Sequence, residues 1–448
     1  MDRFDAYVDA NWDRLVGQLQ DYCRHPCITG QGVGVRETAE ATAALLRDLG
    51  AEARLIQTAG APVVYGEIGA GPRTLLIYDH YDVQPPEPLE LWESDPFAAE
   101  IRDGKVFARG VADNRGDAMA RMQAIAAYRA AVGELPIKVK FVIEGEEEIG
   151  SPSLPAFVEE QRELLRADGC LWETGSLDEQ GRFIVSLGLK GVVHLELREQ
   201  AANVDLHSSL ATIVPNAPWR LTWALASLKS PDDEITIDGL MGHVAKPTPE
   251  QLAQLAQLPF EEETMKAELR IPSFIRGLSG VELLQKHLYE PTCTIQGLLS
   301  GYTGPGLKAV SPHEAMAKLE FRLVPNLEPD LVLRLLRDHL DRRGFQDIEI
   351  VVHAKLSPAQ APADAPIVRA AIAAAEQVYG AAPVVYPRVA ASGPMSYFSA
   401  GLGLPVVAAG GLVWHDARIH APNESVRLAD YKAGIRYIGR LIEDFATA

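Results

Sequence analysis

The sequence predicts an α/β fold in which a mixed, largely parallel sheet is flanked by helices and interrupted by a smaller α+β domain. Strand-sized apolar runs alternate with helical segments in both terminal parts of the chain, as expected when helices cover both faces of a sheet. The middle part has the β-α-β-β-α-β order of a ferredoxin-like unit. We therefore expect one domain at residues 1–190 and 356–448, with a second domain inserted at residues 191–355.

The elements of the first domain follow from the spacing of apolar residues. Helical spacing predicts an amphipathic helix in the first 25 residues. The elements expected after it are strands at 75–78, 137–143 and 170–172, helices at 116–132 and 154–165, and, beyond residue 356, a helix at 366–378, a strand at 405–408 and a helix at 428–445.

The inserted domain is expected to contain four strands and two helices. The strands are at 192–198, 294–299, 315–324 and 348–354, and the helices are at 217–228 and 329–340. A further insertion at 231–291 interrupts the ferredoxin-like order.

Composition and charge exclude several classes of protein. With 47% hydrophobic and 23% charged residues, the chain is neither disordered nor fibrous. Its 42 basic and 61 acidic residues give a net charge of -19 without a basic cluster, so nucleic acid is not an expected partner. The apolar runs are too short to cross a membrane and no apolar signal core is visible, so we expect a cytoplasmic protein without a membrane partner.

The cysteines do not predict a disulfide framework. There are four, widely scattered, which fits a reducing compartment. Cys23 and Cys27 flank His25 like half of a zinc site, but no second cysteine pair follows, so we expect ordinary thiols.

Polar residues follow three of the predicted strands, at the point where each strand ends. Asp79 and His80 end the first strand, an acidic run at 144–148 follows the second, and Glu173 follows the third. Ligands of open α/β sheets bind at this edge. Since the acidic run ends a strand too apolar to be exposed, its crowded carboxylates need cations.

Each polar motif is ordinary by itself, but the motifs together are specific. The pair His80 and Asp82 arises often by chance, the polar turn at 109–117 has a simpler interpretation as a helix N-cap, and a lone His420 is usually a surface residue. Combined, two histidines and three carboxylates beside a further glutamate form the ligand set of a two-metal site. A bridging carboxylate would hold two ions roughly 3.5 to 4 Å apart, with a water between them as nucleophile and the remaining glutamate as general base.

With these motifs in order, the sequence resembles the aminoacylase, carnosinase and glutamate-carboxypeptidase family of co-catalytic metallopeptidases. Acetylornithine deacetylase and succinyl-diaminopimelate desuccinylase belong to the same family. The similarity covers nearly the whole chain and is strongest at 79–85, 110–116, 144–151, 204–208, 321–326 and 420–424. It is closest to the carnosinase-like dipeptidase branch.

The resemblance implies five metal ligands, one of them shared by both ions. They are His80, Asp113 and Glu173 around one ion, and Asp113, Glu148 and His420 around the other. Glu147 falls on the family's catalytic glutamate, and Asp82 falls on the aspartate that orients the first histidine. The peptide bond that follows Asp113 is cis in relatives.

The resemblance makes the inserted domain a lid and dimerisation domain with residues of its own in the site. His207 matches a histidine that, in dimeric relatives, reaches the partner subunit's site and stabilises the oxyanion. Arg322 matches an arginine that holds the substrate carboxylate, a task suited to a planar guanidinium. Further substrate contacts are expected at Ser392, Gly393 and Asn216.

The sequence departs from the family pattern in two places. The late substrate-binding loop reads Ala-Ser-Gly-Pro at 391–394, where relatives often have Gly-Gly-Ser or Gly-Gly-Thr before the proline. Asn114 and Arg115 stand where many members have aspartate and lysine. These changes leave the metal ligands intact and make the substrate pocket harder to predict.

The function implied is a hydrolase with two divalent ions that cleaves an amide or peptide bond next to a free carboxylate. A dipeptidase or carboxypeptidase is the first expectation, and an N-acyl amino acid deacylase acting on acetyl or succinyl amino acids stays open. Zinc is expected first, although manganese and cobalt accept the same nitrogen and oxygen ligands. We also expect a homodimer formed through the lid domain.

Two other classes of protein fit the sequence less well. The glycines at 30–34 lack the spacing and the strand-helix context of a nucleotide-binding loop, which argues against an oxidoreductase. A catalytically silent metal-binding or scaffolding relative usually lacks ligands or the base, whereas here all six positions are filled.

Overall fold

Thirteen α-helices and nineteen strands are present in a computed structural model that describes residues Met1–Ala448. The helices are α1 (Asp2–Ala10), α2 (Trp12–Cys23), α3 (Val35–Asp48), α4 (Gly116–Ala131), α5 (Leu154–Glu160), α6 (Ala217–Leu228), α7 (Pro249–Leu255), α8 (Glu262–Leu269), α9 (Gly280–Tyr289), α10 (Pro329–Arg342), α11 (Pro366–Tyr379), α12 (Ser396–Leu402) and α13 (Leu428–Thr447). No helix combines the length and the hydropathy needed to cross a lipid bilayer.

The strands are mostly short. They are β1 (Glu52–Ile56), β2 (Val63–Ile68), β3 (Thr74–His80), β4 (Glu100–Arg102), β5 (Lys105–Phe107), β6 (Lys138–Glu144), β7 (Gly169–Trp172), β8 (Ile184–Ser186), β9 (Gly188–Leu189), β10 (Gly191–Gln200), β11 (Leu206–His207), β12 (Thr294–Ser300), β13 (Val310–Ser311), β14 (Glu314–Leu323), β15 (Glu349–Leu356), β16 (Ala359–Gln360), β17 (Val384–Tyr386), β18 (Val406–Ala408) and β19 (Ser425–Arg427).

The chain divides into two compact units. Unit 1 comprises Met1–Gly188, Gln360–Pro387 and Tyr397–Ala448. Unit 2 comprises Leu189–Ala359 and Arg388–Ser396.

Unit 1 is built on an eight-stranded sheet. Its strand order is β1-β2-β6-β3-β7-β18-β8-β17. The four central strands β6, β3, β7 and β18 run parallel to one another, whereas the β1–β2, β2–β6 and β18–β8 pairs are antiparallel. The predicted α/β class with a mixed, largely parallel sheet is therefore confirmed.

The central strands of unit 1 are buried on both faces because helices cover the sheet. In β3 and β6 every residue after the first is buried, which explains why these segments read as continuous apolar runs. The long helix α13 packs against α4 and α11, and it buries one apolar stripe, including Ile435, Ile442 and Phe445. The carboxyl ends of β3, β6 and β7 consequently meet at one protected edge.

Unit 2 contains a four-stranded antiparallel sheet in the order β12-β14-β10-β15. This is the strand order of a ferredoxin-like unit, with α6 and α10 packed on one face. Residues of β14 alternate between the two faces, so Leu319, Phe321 and Leu323 are buried in the core while Lys318 and Arg322 lie on the opposite face.

Several predicted elements differ in length from those observed. The single amino-terminal helix is two helices, because the side chain of Asn11 donates to the carbonyl of Tyr7 (2.9 Å) and ends α1. The helix expected at 154–165 ends at Glu160. Helix α3 and strands β1 and β2 were absent from the sequence-based assignment.

Candidate metal centre

Neighbouring strands bring His80, Glu173 and the acidic run together at the protected edge of the unit 1 sheet. His80 is the last residue of β3, and Glu173 directly follows β7, which pairs with β3. The acidic run follows β6, the other neighbour of β3. Residues far apart in sequence therefore lie side by side because parallel strands end at the same edge.

Asp113 lies between two histidines. One carboxylate oxygen, Oδ1, is 3.1 Å from Nε2 of His80, and the other, Oδ2, is 3.2 Å from Nε2 of His420. The two oxygens of one carboxylate thus face two different imidazoles. This is the arrangement expected of a carboxylate that binds two cations, one with each oxygen.

Two glutamates complete the groups on either side of Asp113. Oε2 of Glu173 lies 3.4 Å from Nε2 of His80, and Oε2 of Glu148 lies 3.1 Å from Nε2 of His420. Oε2 of Glu173 is buried and accepts no hydrogen bond. Each group therefore has one imidazole, one oxygen of Asp113 and one glutamate.

The separations within these groups fit divalent ions. Bonds of about 2.0–2.2 Å from a tetrahedral ion place its ligand atoms roughly 3.4 Å apart. The separations of 3.1 to 3.4 Å among the nitrogen and oxygen atoms are close to that value. Across the two groups, His80, Asp113 and Glu148 offer three ligand atoms within 4.8 Å of one another, so the two groups are adjacent.

The electrostatics of these five residues, called the metal cluster below (His80, Asp113, Glu148, Glu173 and His420), also favour cations. Asp113 and then Glu148 raise the pKa of His420 to about 10. The pKa of Asp113 is lowered although burial acts in the other direction, because both imidazoles donate to its carboxylate. The carboxylates therefore stabilise positive charge on the imidazoles, and they would stabilise a cation at the same position.

Asp82 supports His80 from behind. Its backbone carbonyl is 3.1 Å from Nδ1 of His80, and its carboxylate Oδ1 is 3.4 Å from the same atom. The other carboxylate oxygen accepts from the backbone N–H of Glu148 (3.1 Å). Both Asp82 and His80 are fully buried, so the ring has little freedom to rotate.

Glu147 begins the short 3₁₀ helix Glu147–Ile149, beside the cluster. Burial raises the pKa of its carboxyl group to about 7, with His80 acting in the opposite direction and Asp113 and Glu148 acting in the same direction. A carboxyl group with a pKa near neutrality is able both to accept and to return a proton.

The acidic run divides into structural and site-facing residues. Glu144 accepts hydrogen bonds from the hydroxyl groups of Tyr78 and Ser151, and burial raises its pKa to about 8. Glu146 accepts from the backbone N–H groups of Ala61 (3.1 Å) and Ser153 (3.2 Å). Only the last two glutamates of the run are left for the cluster.

Glu424 fixes the backbone of the segment that carries Asp113. Its carboxylate accepts four hydrogen bonds, which come from Nη1 of Arg109 (2.7 Å) and the backbone N–H groups of Gly110 (2.9 Å), Ala112 (2.8 Å) and Asp113 (3.1 Å). Glu424 and Arg109 are 1% exposed. Since His420 lies four residues earlier on the same loop, Glu424 also ties the His420 loop to the Asp113 segment.

A second buried ion pair lies on the other side of Asp113. Asn114 donates to the carboxylate of Asp79 (2.9 Å) and accepts from the backbone N–H of His80 (3.1 Å). Arg121 pairs with Asp79 and also donates to the carbonyl of Trp172 (2.7 Å), next to Glu173. The peptide bond between Asp113 and Asn114 is cis, as the resemblance implied.

These contacts account for the departures at 114 and 115. An amide at position 114 donates to Asp79, whereas an ionised aspartate there would repel it. Arg115 is fully buried and donates to the backbone carbonyls of Tyr81 (2.9 Å) and His25. Its five donors satisfy several carbonyls in a way that a lysine could not.

His420 has a backbone φ of 59°. A non-glycine residue in this left-handed region is strained, and such residues cluster at functional sites. The strain is supported by the Glu424 contacts that hold the loop in place.

The remaining predicted site residues belong to unit 2. Nδ1 of His207 accepts from the backbone N–H of Ser209 (3.2 Å), so Nε2 is the ring nitrogen left to act as a donor. Arg322 donates from Nε and Nη2 to Glu320, both at 2.9 Å. The exposed ring of His207 therefore presents a donor, and the guanidinium of Arg322 is held in one orientation.

The other three expected substrate contacts are Asn216, Ser392 and Gly393, and the first two make hydrogen bonds within unit 2. Asn216 caps α6 by accepting from Trp219 N–H (3.1 Å) and donates to Ser311 (3.2 Å). Ser392 donates to the carbonyl of Gly191 (3.1 Å). Their roles, and that of Gly393, toward a substrate stay predictions.

The cysteine prediction agrees with the structure. All four cysteines are unpaired and buried. Burial raises the pKa of Cys23 to about 12 and of Cys27 to about 11, so both are thiols at neutral pH.

Comparison with known proteins identifies the family. A sequence model of peptidase family M20/M25/M40 matches residues 76–444, which include the whole of the candidate metal centre. The chain belongs to this family. The M20 metallo-carboxypeptidase Sso-CP2 from Sulfolobus solfataricus is 36% identical, with a TM-score of 0.89 over 97% of this chain and 99% of that chain.

Two curated relatives of this M20 chain are dipeptidases by name. The Cys-Gly metallodipeptidase dug1 of Schizosaccharomyces pombe is 30% identical over 63% of this chain and 60% of its own length. The Beta-Ala-His dipeptidase of Rattus norvegicus is 27% identical over 72% of this chain and 67% of its own length. The match thus spans about three fifths to two thirds of these relatives.

Proposed function

We propose that this chain is a metallopeptidase with two divalent ions, which cleaves the peptide bond next to a free C-terminal carboxylate in dipeptides or short peptides. The observation that carries the proposal is the position of Asp113, whose two oxygens face His80 and His420 at 3.1 and 3.2 Å. The names of the relatives, two dipeptidases and a carboxypeptidase, support the choice of substrate.

The proposed ligand sets follow from the two groups around Asp113. His80, Asp113 and Glu173 would hold one ion, and Asp113, Glu148 and His420 the other. When bound, such a pair of ions acidifies a water and polarises a carbonyl oxygen. Zinc is the first candidate, and manganese and cobalt are the others, because imidazole and carboxylate ligands accept all three.

Glu147 is the proposed general base and acid. Its carboxylate would take a proton from the attacking water and return it to the leaving amine, which the raised pKa favours. Asp82 would keep His80 in one orientation while this happens.

Unit 2 would supply substrate contacts. Nε2–H of His207 is the proposed oxyanion donor, and one such donor contributes about 3 kcal/mol to the stability of a transition state. Nη1 of Arg322, the guanidinium nitrogen that is not bonded to Glu320, is the proposed donor to the terminal carboxylate.

We further propose a cytoplasmic homodimer formed through unit 2. The face of α6 exposes Trp219 (59%) and Trp223 (56%), whose rings stack 5.8 Å apart. The outer edge of β12 is unpaired and exposes Leu298 and Leu299. Exposed aromatic residues and an open strand edge are each suited to contact with a second copy of the chain, because exposed apolar area and unpaired strand edges are costly in water.

A panel of substrates tests the proposed activity. The metal-loaded protein is assayed with dipeptides, with the same dipeptides amidated at the C-terminus, and with N-acetyl and N-succinyl amino acids. We expect free dipeptides to be cleaved and amidated ones to be cleaved far more slowly. Equal rates on amidated dipeptides would contradict the carboxylate requirement, and faster cleavage of N-acyl amino acids would favour a deacylase.

The role of Glu147 is tested in the same assay. Glu147→Gln should retain two ions and lose at least about 10²-fold in kcat. Glu179→Gln, which changes an exposed loop glutamate of unit 1, is the matched control and should behave as wild type. Loss of bound metal, or retention of activity, in Glu147→Gln would contradict the assignment.

A further inference from the structure

A cavity of about 630 Å³ lies wholly within unit 2. Its charged lining has five cationic side chains and three carboxylates, namely Lys190, Lys229, Arg276, Lys286 and Arg322 against Asp233, Glu234 and Glu290. The chain as a whole has a net charge of -19. A cavity with surplus positive charge in so acidic a protein attracts an anion.

Three of the five cations are paired with the three carboxylates of the lining. The ion pairs are Lys229 with Asp233, Arg276 with Glu234 (2.9 Å), and Lys286 with Glu290 (3.0 Å). Arg322 is paired with Glu320, which lies outside the lining, through Nε and Nη2 (both 2.9 Å), so only its Nη1 is left as a donor. The uncompensated positive charge of the lining therefore belongs to Lys190.

Lys190 is buried without an ion pair. It is 2% exposed, and its ammonium donates to the backbone carbonyl of Glu290 (2.7 Å), which uses one of three donors. Burial, and then the nearby Arg388, lower the pKa of Lys190 to about 8, so the group is still charged at neutral pH. A buried charge without a partner is costly, and an anion in the cavity would remove that cost.

Lys190 and Arg322 lie close together on one face of the sheet. Lys190 directly precedes β10, and in the register of β10 and β14 Gly191 is opposite Leu323 and Val192 is opposite Arg322. One residue beyond this register, Lys190 takes the position diagonal to Arg322, and both side chains line the cavity. Diagonal neighbours have backbones about 7–8 Å apart. Two cationic side chains at this spacing can each bind one carboxylate of a small dicarboxylate.

We propose that this cavity binds a dicarboxylate, in which Arg322 takes the terminal carboxylate of the substrate and Lys190 takes an acidic side chain on the same residue. This inference rests on the proposed function and narrows its substrate class to short peptides that end in Asp or Glu. Lys190 thereby becomes a specificity-determining residue.

Kinetic selectivity tests the role of Lys190. The dipeptides Gly-Glu and Gly-Gln differ only by a carboxylate and an amide. We expect wild type to favour Gly-Glu at least about tenfold in kcat/KM, and Lys190→Met to lose most of that ratio. Lys190→Arg keeps the charge and should retain most of it.

Lys246→Met is the matched control, because Lys246 is an exposed loop lysine of unit 2 that does not line the cavity. It should keep the wild-type ratio. A wild-type ratio near one, or an unchanged ratio in Lys190→Met with a wild-type circular dichroism spectrum, would overturn the proposal.

A binding measurement separates this inference from the proposed activity. Glutarate and its half-amide glutaramate are titrated calorimetrically into the metal-loaded protein. We expect glutarate to bind at least about tenfold more weakly to Lys190→Met than to wild type, and to compete with Gly-Glu. Glutaramate should bind wild type and Lys190→Met with similar Kd.

The outcomes of this measurement are distinct. If no peptide is cleaved but glutarate binding depends on Lys190, the proposed activity fails and the dicarboxylate cavity stands. If peptides are cleaved and glutarate binds both proteins equally, the cavity assignment fails. If glutarate binding depends on Lys190 but glutarate does not compete with Gly-Glu, the cavity binds a free dicarboxylate and not the peptide substrate. The substrate assignment would then be wrong.

Discussion

Replacing Glu424 with glutamine tests whether a buried carboxylate holds the Asp113 segment in place. Each oxygen of Glu424 accepts two hydrogen bonds, Oε2 from Arg109 and Gly110 N–H, and Oε1 from two further backbone N–H groups. Glutamine keeps the shape of the side chain, but one oxygen becomes an NH₂ group that faces two donors and accepts from neither.

The magnitude follows from the contacts that are lost. Hydrogen bonds to a charged group contribute about 1.5–3 kcal/mol each, so losing two costs about 3–6 kcal/mol. Removing one partner of a buried ion pair costs about 3–5 kcal/mol. Both estimates predict that Glu424→Gln lowers the free energy of unfolding of unit 1 by about 3–5 kcal/mol, out of roughly 5–15 kcal/mol for a typical protein.

Urea unfolding of the chelator-treated protein, followed by circular dichroism, measures this loss directly. A zinc or manganese titration of the same variant measures whether the displaced Asp113 segment binds metal more weakly. Glu179→Gln, on an exposed loop, should stay within about 0.5 kcal/mol of wild type. The reasoning would be refuted by a Glu424→Gln protein that unfolds within about 1 kcal/mol of wild type and binds metal equally well.

Three further predictions concern pH, packing and metal. Burial raises the pKa of Glu144 to about 8 from its ordinary value of 4.5, so its folded form keeps a proton that the unfolded form releases, and stability falls as pH rises through this window. Wild type should therefore lose up to about 1.4 kcal/mol of stability per pH unit through Glu144, and Glu144→Gln should lack this contribution. If thermal unfolding of wild type and Glu144→Gln had the same pH dependence, the role of Glu144 would be disproved. Phe141→Ala, at a fully buried position of β6, should cost about 3–5 kcal/mol in urea unfolding, whereas Leu89→Ala, at a 53% exposed position, should cost less than about 0.5 kcal/mol. Divalent metal at 1,000 times its Kd should stabilise the folded chain by about 4 kcal/mol, so the thermal midpoint should rise with metal and fall with chelator; an unchanged midpoint would argue against specific binding.

Periodicity and strand-end chemistry predicted the parts of the structure that depend on local pattern. Strands β3, β6 and β7 were recognised because burial on both faces gives continuous apolar runs, and their ends located His80 and Glu173. The ferredoxin-like order of unit 2 followed from the same alternation. Strand β1 was missed because it is only partly buried, and β2 was missed because Gly66 and Glu67 interrupt its apolar residues.

The family resemblance supplied what local pattern could not. Asp113 and His420 lie in loops more than 300 residues apart, and nothing in either loop alone distinguishes a metal ligand from an N-cap or a surface histidine. The structure places them 3.2 Å apart. Convergence of this kind depends on the tertiary fold, so spacing along the chain cannot reveal it.

The residues that support the site were not predicted at all. Arg109, Arg121 and Glu424 are charged, and charged residues are usually exposed, so the sequence gives no sign that these three are buried. Their partners lie up to 315 residues away. The one available signal was that Arg109 and Glu424 sit inside the two motifs that carry Asp113 and His420.

The central claim is that Asp113 bridges two metal ions. Anomalous scattering from crystals of the manganese-loaded protein tests it directly. The account predicts two peaks roughly 3.5–4 Å apart, one beside His80 and Glu173 and the other beside His420 and Glu148, with Asp113 between them. A single peak, or two peaks that do not flank Asp113, would contradict it.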